Sequence, residues 1–199
     1  YASYELTARN PGGHSSEPRA DNAIYELADA LKAVQGFAFP VMWNDWTLGS
    51  FKAAAAVTPG EEGRALAMFA ANPGDADAAA VLARNPSTVG LTRTTCVAPM
   101  LKRGHADNAL PQSATATVNC RIFPGTSAVE VRDTLQKLVG ERIEVKMLGQ
   151  PFTSPPSPMR DDVLAAAAAA VHASYPGTPI VPGMAAYATD GSVFRVAGI

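Results

Sequence analysis

The sequence predicts a two-layer α+β fold in which four antiparallel strands form one sheet and two helices cover one of its faces. Four segments alternate apolar and polar side chains with the period of a half-buried strand. An apolar stripe at helical spacing follows the first and the third of these segments. The order strand, helix, insertion, strand, strand, helix, strand is the ferredoxin-like pattern.

A glycine turn separates the first strand from the first helix. Residues 1–9 alternate small or apolar side chains with polar ones, which predicts the strand. Residues 21–35 carry apolar side chains at offsets of three and four, and Asp21 is the predicted N-cap of this helix. Two glycines precede His14 in the turn, and their backbone freedom allows the turn to direct the imidazole outward.

A helical insertion is predicted over residues 36–88, between the first helix and the second strand. The insertion contains two alanine-rich helical pieces and two turn signals, Pro59-Gly60 and Pro73-Gly74. The strand pattern returns after it.

The other three strands are predicted over residues 90–102, 114–123 and 141–148. A capping box, Ser127 with Glu130, opens the second helix before the last strand. Along residues 114–123 apolar and polar side chains alternate, so one face of the strand is apolar and the other polar. The polar face is the open face of the sheet, and it carries Arg121.

The two cysteines of the chain, Cys96 and Cys120, fall about opposite each other if the second and third strands form a hairpin centred near Asn108. They are too few and too far apart in sequence for a zinc knot. We interpret them as buried reduced thiols, and a cross-strand disulfide is the alternative.

The last fifty residues are predicted to be a linker followed by a piece of another domain. Residues 149–159 are rich in proline, as linkers often are. A helix capped by Asp161 runs to about residue 174, and a short apolar strand is expected near residues 180–181. One helix and one strand cannot bury a core alone. The predicted domains are therefore residues 1–149 and residues 150–199.

Composition excludes several classes of partner. The net charge is −2, and no basic stripe with interleaved aromatic residues occurs, which argues against nucleic acid and anionic membranes as partners. The longest apolar run, residues 163–171, is far shorter than the roughly 20 residues of a membrane span. Both ends resemble cuts from a longer chain, so the compartment stays open.

Three motifs occur in order along the chain. The first is Gly-Gly-His14-Ser-Ser-x-Pro-x-x-x-Asn22-Ala-Ile, and the second begins at Asn108-Ala-Leu-Pro and runs through Arg121 to Pro124-Gly125. The third is Thr189-Asp190-Gly191-x-x-Phe-x-x-x-Gly-Ile. Together they resemble the di-zinc peptidase family that includes carboxypeptidase G, aminoacylase and succinyl-diaminopimelate desuccinylase.

The resemblance implies that residues 1–149 are the lid and dimerisation domain of such an enzyme and that residues 150–199 belong to its incomplete α/β catalytic domain. By the same resemblance, His14 reaches into the active site of the partner subunit and stabilises the oxyanion at the scissile carbonyl. Asn108 and Arg121 are expected to bind the carboxylate of the substrate. The stretch Thr189, Asp190 and Gly191 is expected beside the same pocket.

The family also implies zinc, which this chain is not expected to bind. The His-x-Asp and Glu-Glu motifs that hold the two zinc ions in the family are missing, and the only histidines are His14, His105 and His172. The zinc ligands are expected outside residues 1–199, so the chain alone should be inactive. The parent would be a homodimeric zinc carboxypeptidase or N-acyl-amino-acid amidohydrolase that cleaves a peptide or N-acyl amino acid beside a free carboxylate.

Two alternatives stay open at this stage. The chain could be a ferredoxin-like module that only dimerises and takes no part in chemistry. It could instead be a sensor that binds small carboxylates through Asn108 and Arg121. The second alternative predicts that the chain binds an amino acid by itself.

Overall fold

A computed structural model of the chain describes residues 1–151, 154, 156–181, 183–187 and 189–198. The chain divides into two units, Tyr1–Phe39 with Thr94–Ser154, and Pro40–Arg93 with Pro155–Ile199. The strands are β1 (Ala2–Arg9), β2 (Gly13–His14), β3 (Thr95–Lys102), β4 (Ala109–Leu110), β5 (Ser113–Arg121) and β6 (Ile143–Leu148). The helices are α1 (Ala23–Gly36), α2 (Asp45–Ala55), α3 (Gly60–Ala71), α4 (Ala76–Ala83), α5 (Pro86–Val89), α6 (Ala128–Val139), α7 (Asp161–Ser174) and α8 (Gly191–Val196).

The first unit contains a four-stranded antiparallel sheet with strand order β3-β5-β1-β6. The central strand β1 pairs with β5 from Ala2 opposite Cys120 to Arg9 opposite Ser113. A β-bulge interrupts the pairing of β3 with β5, which leaves β3 as an irregular edge strand. The predicted α+β fold with a four-stranded antiparallel sheet is confirmed.

The core of the first unit lies between the sheet and its two helices, α1 and α6. Alternate residues of β1 and β5 are buried, as the period-two pattern predicts. Tyr4 is fully buried at the centre of this layer, and its hydroxyl donates a hydrogen bond to the carbonyl of Ala128 at 2.8 Å. This bond connects the central strand to the first turn of α6.

Of the three predicted helix caps one is present and two differ by one residue. The capping box of Ser127 and Glu130 at the start of α6 is present. The N-cap of α1 is Asn22, not Asp21, because Asn22 has extended backbone angles and its Oδ1 accepts from the backbone N–H of Ile24 at 2.8 Å. Asp21 instead accepts two hydrogen bonds from Arg19. Asp161 does not cap α7 but is its first residue, and the N-cap Arg160 makes no side-chain capping bond.

The prediction of reduced cysteines is wrong. Cys96 and Cys120 lie opposite each other in neighbouring strands, with Cα atoms 4.1 Å apart, and form a disulfide. The register puts both side chains on the same face of the sheet, so bonding needs no rearrangement of the backbone. The disulfide therefore fastens the edge strand β3 to β5.

The second unit contains all but the first four residues of the segment predicted as a helical insertion, residues 36–88. The segment forms the four helices α2 to α5, with a core of its own. The buried aromatic rings of Phe51 and Phe69 meet edge to face, with centroids 5.7 Å apart. Gly63 in α3 lies against the backbone of Thr58, where a Cβ atom would be 1.8 Å from the carbonyl oxygen.

The tail of the second unit contains α7 and α8. The strand expected near residues 180–181 is not formed, because described residues 178–181 pair with no neighbouring strand, and an extended segment becomes a strand only through such pairing. The described part of the chain contains no helix that is both long and apolar enough to cross a bilayer.

Candidate functional site

The first motif and the Asn108 start of the second motif come together at one end of the sheet. Strands β2 and β4 form a short antiparallel ladder with Gly13 opposite Leu110 and His14 opposite Ala109. The ladder extends through the backbone N–H of Ser15, which donates to the carbonyl of Asn108 at 2.9 Å. The glycine turn and the Asn108 segment are thus held in fixed register.

Gly12 permits the two segments to approach this closely. Its φ angle is +72°, in the left-handed region that favours glycine. A Cβ atom at this position would lie 2.8 Å from Cγ of Gln112 and 2.9 Å from the carbonyl oxygen of Leu110. The second distance is to backbone, which cannot move without breaking the ladder. The left-handed backbone and the lack of room for a Cβ atom therefore both require glycine at position 12.

The ring of His14 is exposed, and both of its nitrogens have neighbours. Nδ1 lies 2.8 Å from Oγ of Ser16 and accepts a hydrogen bond from the backbone N–H of Ser16 at 3.2 Å. Nε2 lies 3.4 Å from Nδ2 of the Asn108 side-chain amide. The structure therefore brings together two of the predicted site residues, His14 and Asn108.

An ion pair lies between the His14 turn and α1. The guanidinium of Arg19 donates two hydrogen bonds to the carboxylate of Asp21, each 2.9 Å long. These bonds hold the pKa of Asp21 below its usual range. The Arg19–Asp21 ion pair and the Asn22 cap together fix the direction in which the chain leaves the turn and enters α1.

Arg121 lies at the opposite end of the sheet from His14. It is the last residue of β5 and pairs with Thr95, whereas the first residue of β5, Ser113, pairs with Arg9 just before the glycine turn. Eight steps of about 3.4 Å put roughly 27 Å between the two ends of β5. The Arg121 guanidinium stacks over the Tyr1 ring, 5.4 Å from its centroid.

Thr189, Asp190 and Gly191 lie in the second unit, at the start of α8. Thr189 and Asp190 are exposed, and the hydroxyl of Ser192 donates to the carbonyl of Thr189 at 2.9 Å. Asp190 precedes the helix without forming a side-chain cap. The stretch forms a polar turn.

A sequence model of the peptidase dimerisation domain matches residues 1–146. The chain belongs to the peptidase dimerisation domain family. The dimerisation domain includes the sheet, α1, α6 and the His14–Asn108 site. The resemblance to di-zinc peptidases inferred from the three motifs is confirmed.

Relatives and solved structures agree with this assignment. The chain is 34% identical over 117 residues to an N-fatty-acyl-amino acid synthase/hydrolase PM20D1 of Xenopus tropicalis, covering 57% of this chain and 23% of the relative. The human protein of that name is 29% identical over 162 residues, covering 80% and 32%. The M20 family metallo-carboxypeptidase Sso-CP2 of Sulfolobus solfataricus has a similar fold, with a TM-score of 0.58 at 16% identity over 97% of this chain and 53% of that one.

The chain spans only 23% and 32% of these two curated relatives. Among the described residues, no three His, Cys, Asp or Glu side chains come together as a metal site would require. His172 contacts the carbonyl of Thr178 through Nε2, at 2.7 Å, and His105 is exposed.

Two features of the site in the dimerisation domain were not predicted from the sequence. The ladder of β2 and β4 has two residues per strand, too few for any periodicity to be recognised. The contact of Ser16 with the His14 ring depends on the turn conformation. The only signal in the sequence was the position of Ser16 inside the first motif.

Proposed function

We propose that this chain is the lid and dimerisation part, residues 1–149 with the insertion 36–88, together with a catalytic-domain segment, residues 150–199, of a zinc-dependent carboxypeptidase or N-acyl-amino-acid amidohydrolase. The parent would hydrolyse an amide bond beside a free carboxylate. The observation that carries the proposal is the ladder that holds His14 and Asn108 with 3.4 Å between ring and amide. The names of the relatives, an N-fatty-acyl-amino acid synthase/hydrolase and a metallo-carboxypeptidase, support the same reaction class.

His14 is proposed to donate a hydrogen bond to the oxygen of the scissile carbonyl as negative charge develops there. Hydrogen-bond donors that are already in position for this charge contribute a few kcal/mol to catalysis. In the parent, zinc would act as a Lewis acid on the same carbonyl. Its ligands are proposed to lie on residues outside this chain, and we expect the chain alone to be inactive.

Asn108 and Arg121 are proposed to bind the substrate carboxylate. A guanidinium can hold a carboxylate with two charge-assisted hydrogen bonds. Among the described residues, no carboxylate lies within ion-pair distance of Arg121, whose neighbour is the ring of Tyr1. The turn at Thr189, Asp190 and Gly191 is proposed to lie beside the same pocket.

The parent is proposed to be a homodimer that pairs through the edge strand β3. Three large apolar side chains of β3 are exposed, namely Val97, Met100 and Leu101. We expect Leu101→Glu to convert the dimer into monomers in analytical ultracentrifugation. Val129→Glu, on an exposed site of α6, is the control that should remain dimeric.

The assignment of roles is tested by steady-state kinetics of the full-length parent. We expect His14→Ala to lower kcat by about 100-fold or more with little change in KM. Arg121→Ala should mainly raise KM. His105→Ala removes another exposed imidazole of the first unit and is the control. Small and equal effects of the first two variants would contradict the proposed roles.

The positions of Asn108 and Arg121 argue against the alternative that a single chain is a carboxylate sensor. Asn108 lies beside His14, and Arg121 lies at the other end of the sheet, so one small carboxylate cannot contact both in the same chain. Calorimetry of the chain with a panel of N-acyl amino acids should therefore give no binding heat. Binding that is lost in Arg121→Ala would favour the sensor.

A further inference from the structure

We infer that Ser16 is a positioning residue that holds the His14 ring in the tautomer with its proton on Nε2. The inference deepens the proposed function and rests on it for its catalytic meaning. The tautomer itself follows from hydrogen bonds within this chain.

Two groups of Ser16 contact Nδ1 of His14. The backbone N–H of Ser16 donates to Nδ1 at 3.2 Å, and a backbone N–H cannot accept a hydrogen bond. Nδ1 must therefore present its lone pair. The hydroxyl of Ser16, with Oγ 2.8 Å from the same atom, can donate as well. A neutral imidazole with an unprotonated Nδ1 carries its proton on Nε2.

The turn conformation aims Ser16 at the ring. The backbone N–H of Glu17 donates to the carbonyl of His14 at 3.0 Å, which closes the turn, and Ser15 is bonded to the carbonyl of Asn108. Between these two bonds the backbone N–H of Ser16 is directed at Nδ1 of His14.

The tautomer determines whether Nε2, on the other side of the ring, donates or accepts a hydrogen bond. In the structure the amide nitrogen of Asn108, Nδ2, faces Nε2 at 3.4 Å. A protonated Nε2 cannot accept from this nitrogen, so the inferred tautomer requires the amide to present Oδ1 instead, an exchange of nearly isosteric orientations. When a substrate oxygen enters, Nε2–H is available to donate to it. The opposite tautomer would present a lone pair to a developing negative charge and would repel it.

The tautomer can be measured directly by long-range ¹H–¹⁵N spectra of the labelled chain at alkaline pH, where imidazoles are neutral. The chain has three histidines, and His172 is an internal reference because its Nε2 faces a carbonyl oxygen, which only accepts. We expect His14 to show an unprotonated Nδ1 and a protonated Nε2. A protonated Nδ1 in the wild-type chain would overturn the inference.

Variants separate the hydroxyl from the rest of the turn. Ser16→Ala keeps the backbone donor and loses the hydroxyl, so the ratio of Nε2–H to Nδ1–H should fall about threefold to tenfold. Ser16→Thr should retain the wild-type ratio. Ser15→Ala is the matched control, since the bond of Ser15 to Asn108 uses backbone atoms. An unchanged ratio in Ser16→Ala would contradict the role of the hydroxyl.

Kinetics of the full-length parent distinguish failure of this inference from failure of the proposed function. We expect Ser16→Ala to lower kcat about tenfold at constant KM, with recovery in Ser16→Thr. If His14→Ala leaves kcat unchanged while the spectra agree with expectation, the oxyanion role fails and the tautomer stands. If His14→Ala lowers kcat and Ser16→Ala changes neither ratio nor rate, the positioning role fails.

Discussion

His14 lies in the short β2–β4 ladder beyond one end of the four-stranded sheet, and Arg121 lies at the other end, with the roughly 27 Å length of β5 between these two ends. An amide beside a free carboxylate is only a few ångströms long. One chain therefore cannot place both side chains on a scissile amide and the carboxylate beside it. If both act in the parent, each active site takes His14 from one subunit and Arg121 from the other.

This arrangement predicts complementation between two impaired variants, assayed at a substrate concentration well below the wild-type KM, where both have low activity. In a heterodimer of His14→Ala and Arg121→Ala, one site receives both wild-type side chains and the other receives neither. Refolding the two variants together in equal amounts should restore about a quarter of wild-type activity, because half of the randomly assembled dimers carry one intact site. The variants assayed separately are the controls. A mixture no more active than its components would show that both residues serve from the same subunit.

Substitution of Gly12 should disturb the His14 site more than substitution of another glycine that has positive φ. Gly12→Ala adds a Cβ atom 2.9 Å from the carbonyl of Leu110, so the ladder of β2 and β4 must open. Gly104→Ala is the matched control, since Gly104 also has positive φ but a Cβ atom added there would meet nothing within 4 Å. We expect both to cost about 1 kcal/mol of strain. Only Gly12→Ala should shift the His14 ring resonances and lower kcat.

The disulfide should stabilise the edge of the sheet. The bond closes a loop with a sequence separation of 24, for which about 3 kcal/mol of stabilisation is expected. Without reductant, the denatured chain should show no reactive thiol, and with reductant it should show two. Amide exchange in β3 should accelerate in Cys96→Ser/Cys120→Ser, and the other edge strand, β6, is the internal control. Two reactive thiols in the unreduced chain would contradict the bond.

The stability of the first unit should fall between about pH 10 and pH 12 because of Tyr4. Burial raises the pKa of Tyr4 from 10.0 to about 12. The native state therefore retains the phenol proton more tightly than the unfolded state does. This contribution is complete below pH 10 and is lost as pH rises through 12; two pKa units correspond to about 3 kcal/mol.

Urea unfolding at a series of pH values measures this effect. Tyr4→Phe lacks the ionisable hydroxyl, so its unfolding free energy should decline less steeply above pH 10 than that of the wild type. It should also be about 1 kcal/mol less stable at neutral pH, because the bond to Ala128 is lost. Tyr25→Phe, at a position that is 66% exposed, is the control. Parallel slopes for Tyr4→Phe and wild type would contradict the raised pKa.

The sheet could be predicted from the sequence because a buried face fixes both period and register. Alternation along residues 114–123 correctly put Cys120 on the inner face, opposite Cys96. The redox state could not be predicted in this way, since a thiol and a disulfide occupy the same apolar position. The shift of the N-cap from Asp21 to Asn22 has a similar cause, because both residue types cap helices well.

The site could be predicted in part. The motif identified His14 and Asn108, and the β2–β4 ladder explains why two segments so far apart in sequence occur together. The distance of Arg121 from them follows from its place at the far end of β5, which the predicted hairpin near Asn108 already implied. The expected strand near residues 180–181 failed because an apolar run supplies no pairing partner.

The pairing of β1 with β5 also determines the order in which the chain can fold. Strand β1 is synthesised first, yet its partners β5 and β6 lie beyond the helical segment 40–93. Helices α2 to α5 make their core contacts among sequence neighbours, so we expect them to form early. The central strand must wait for the chain to reach β5, and a ribosome-bound nascent chain that ends before residue 113 should therefore hold folded helices and an unprotected β1.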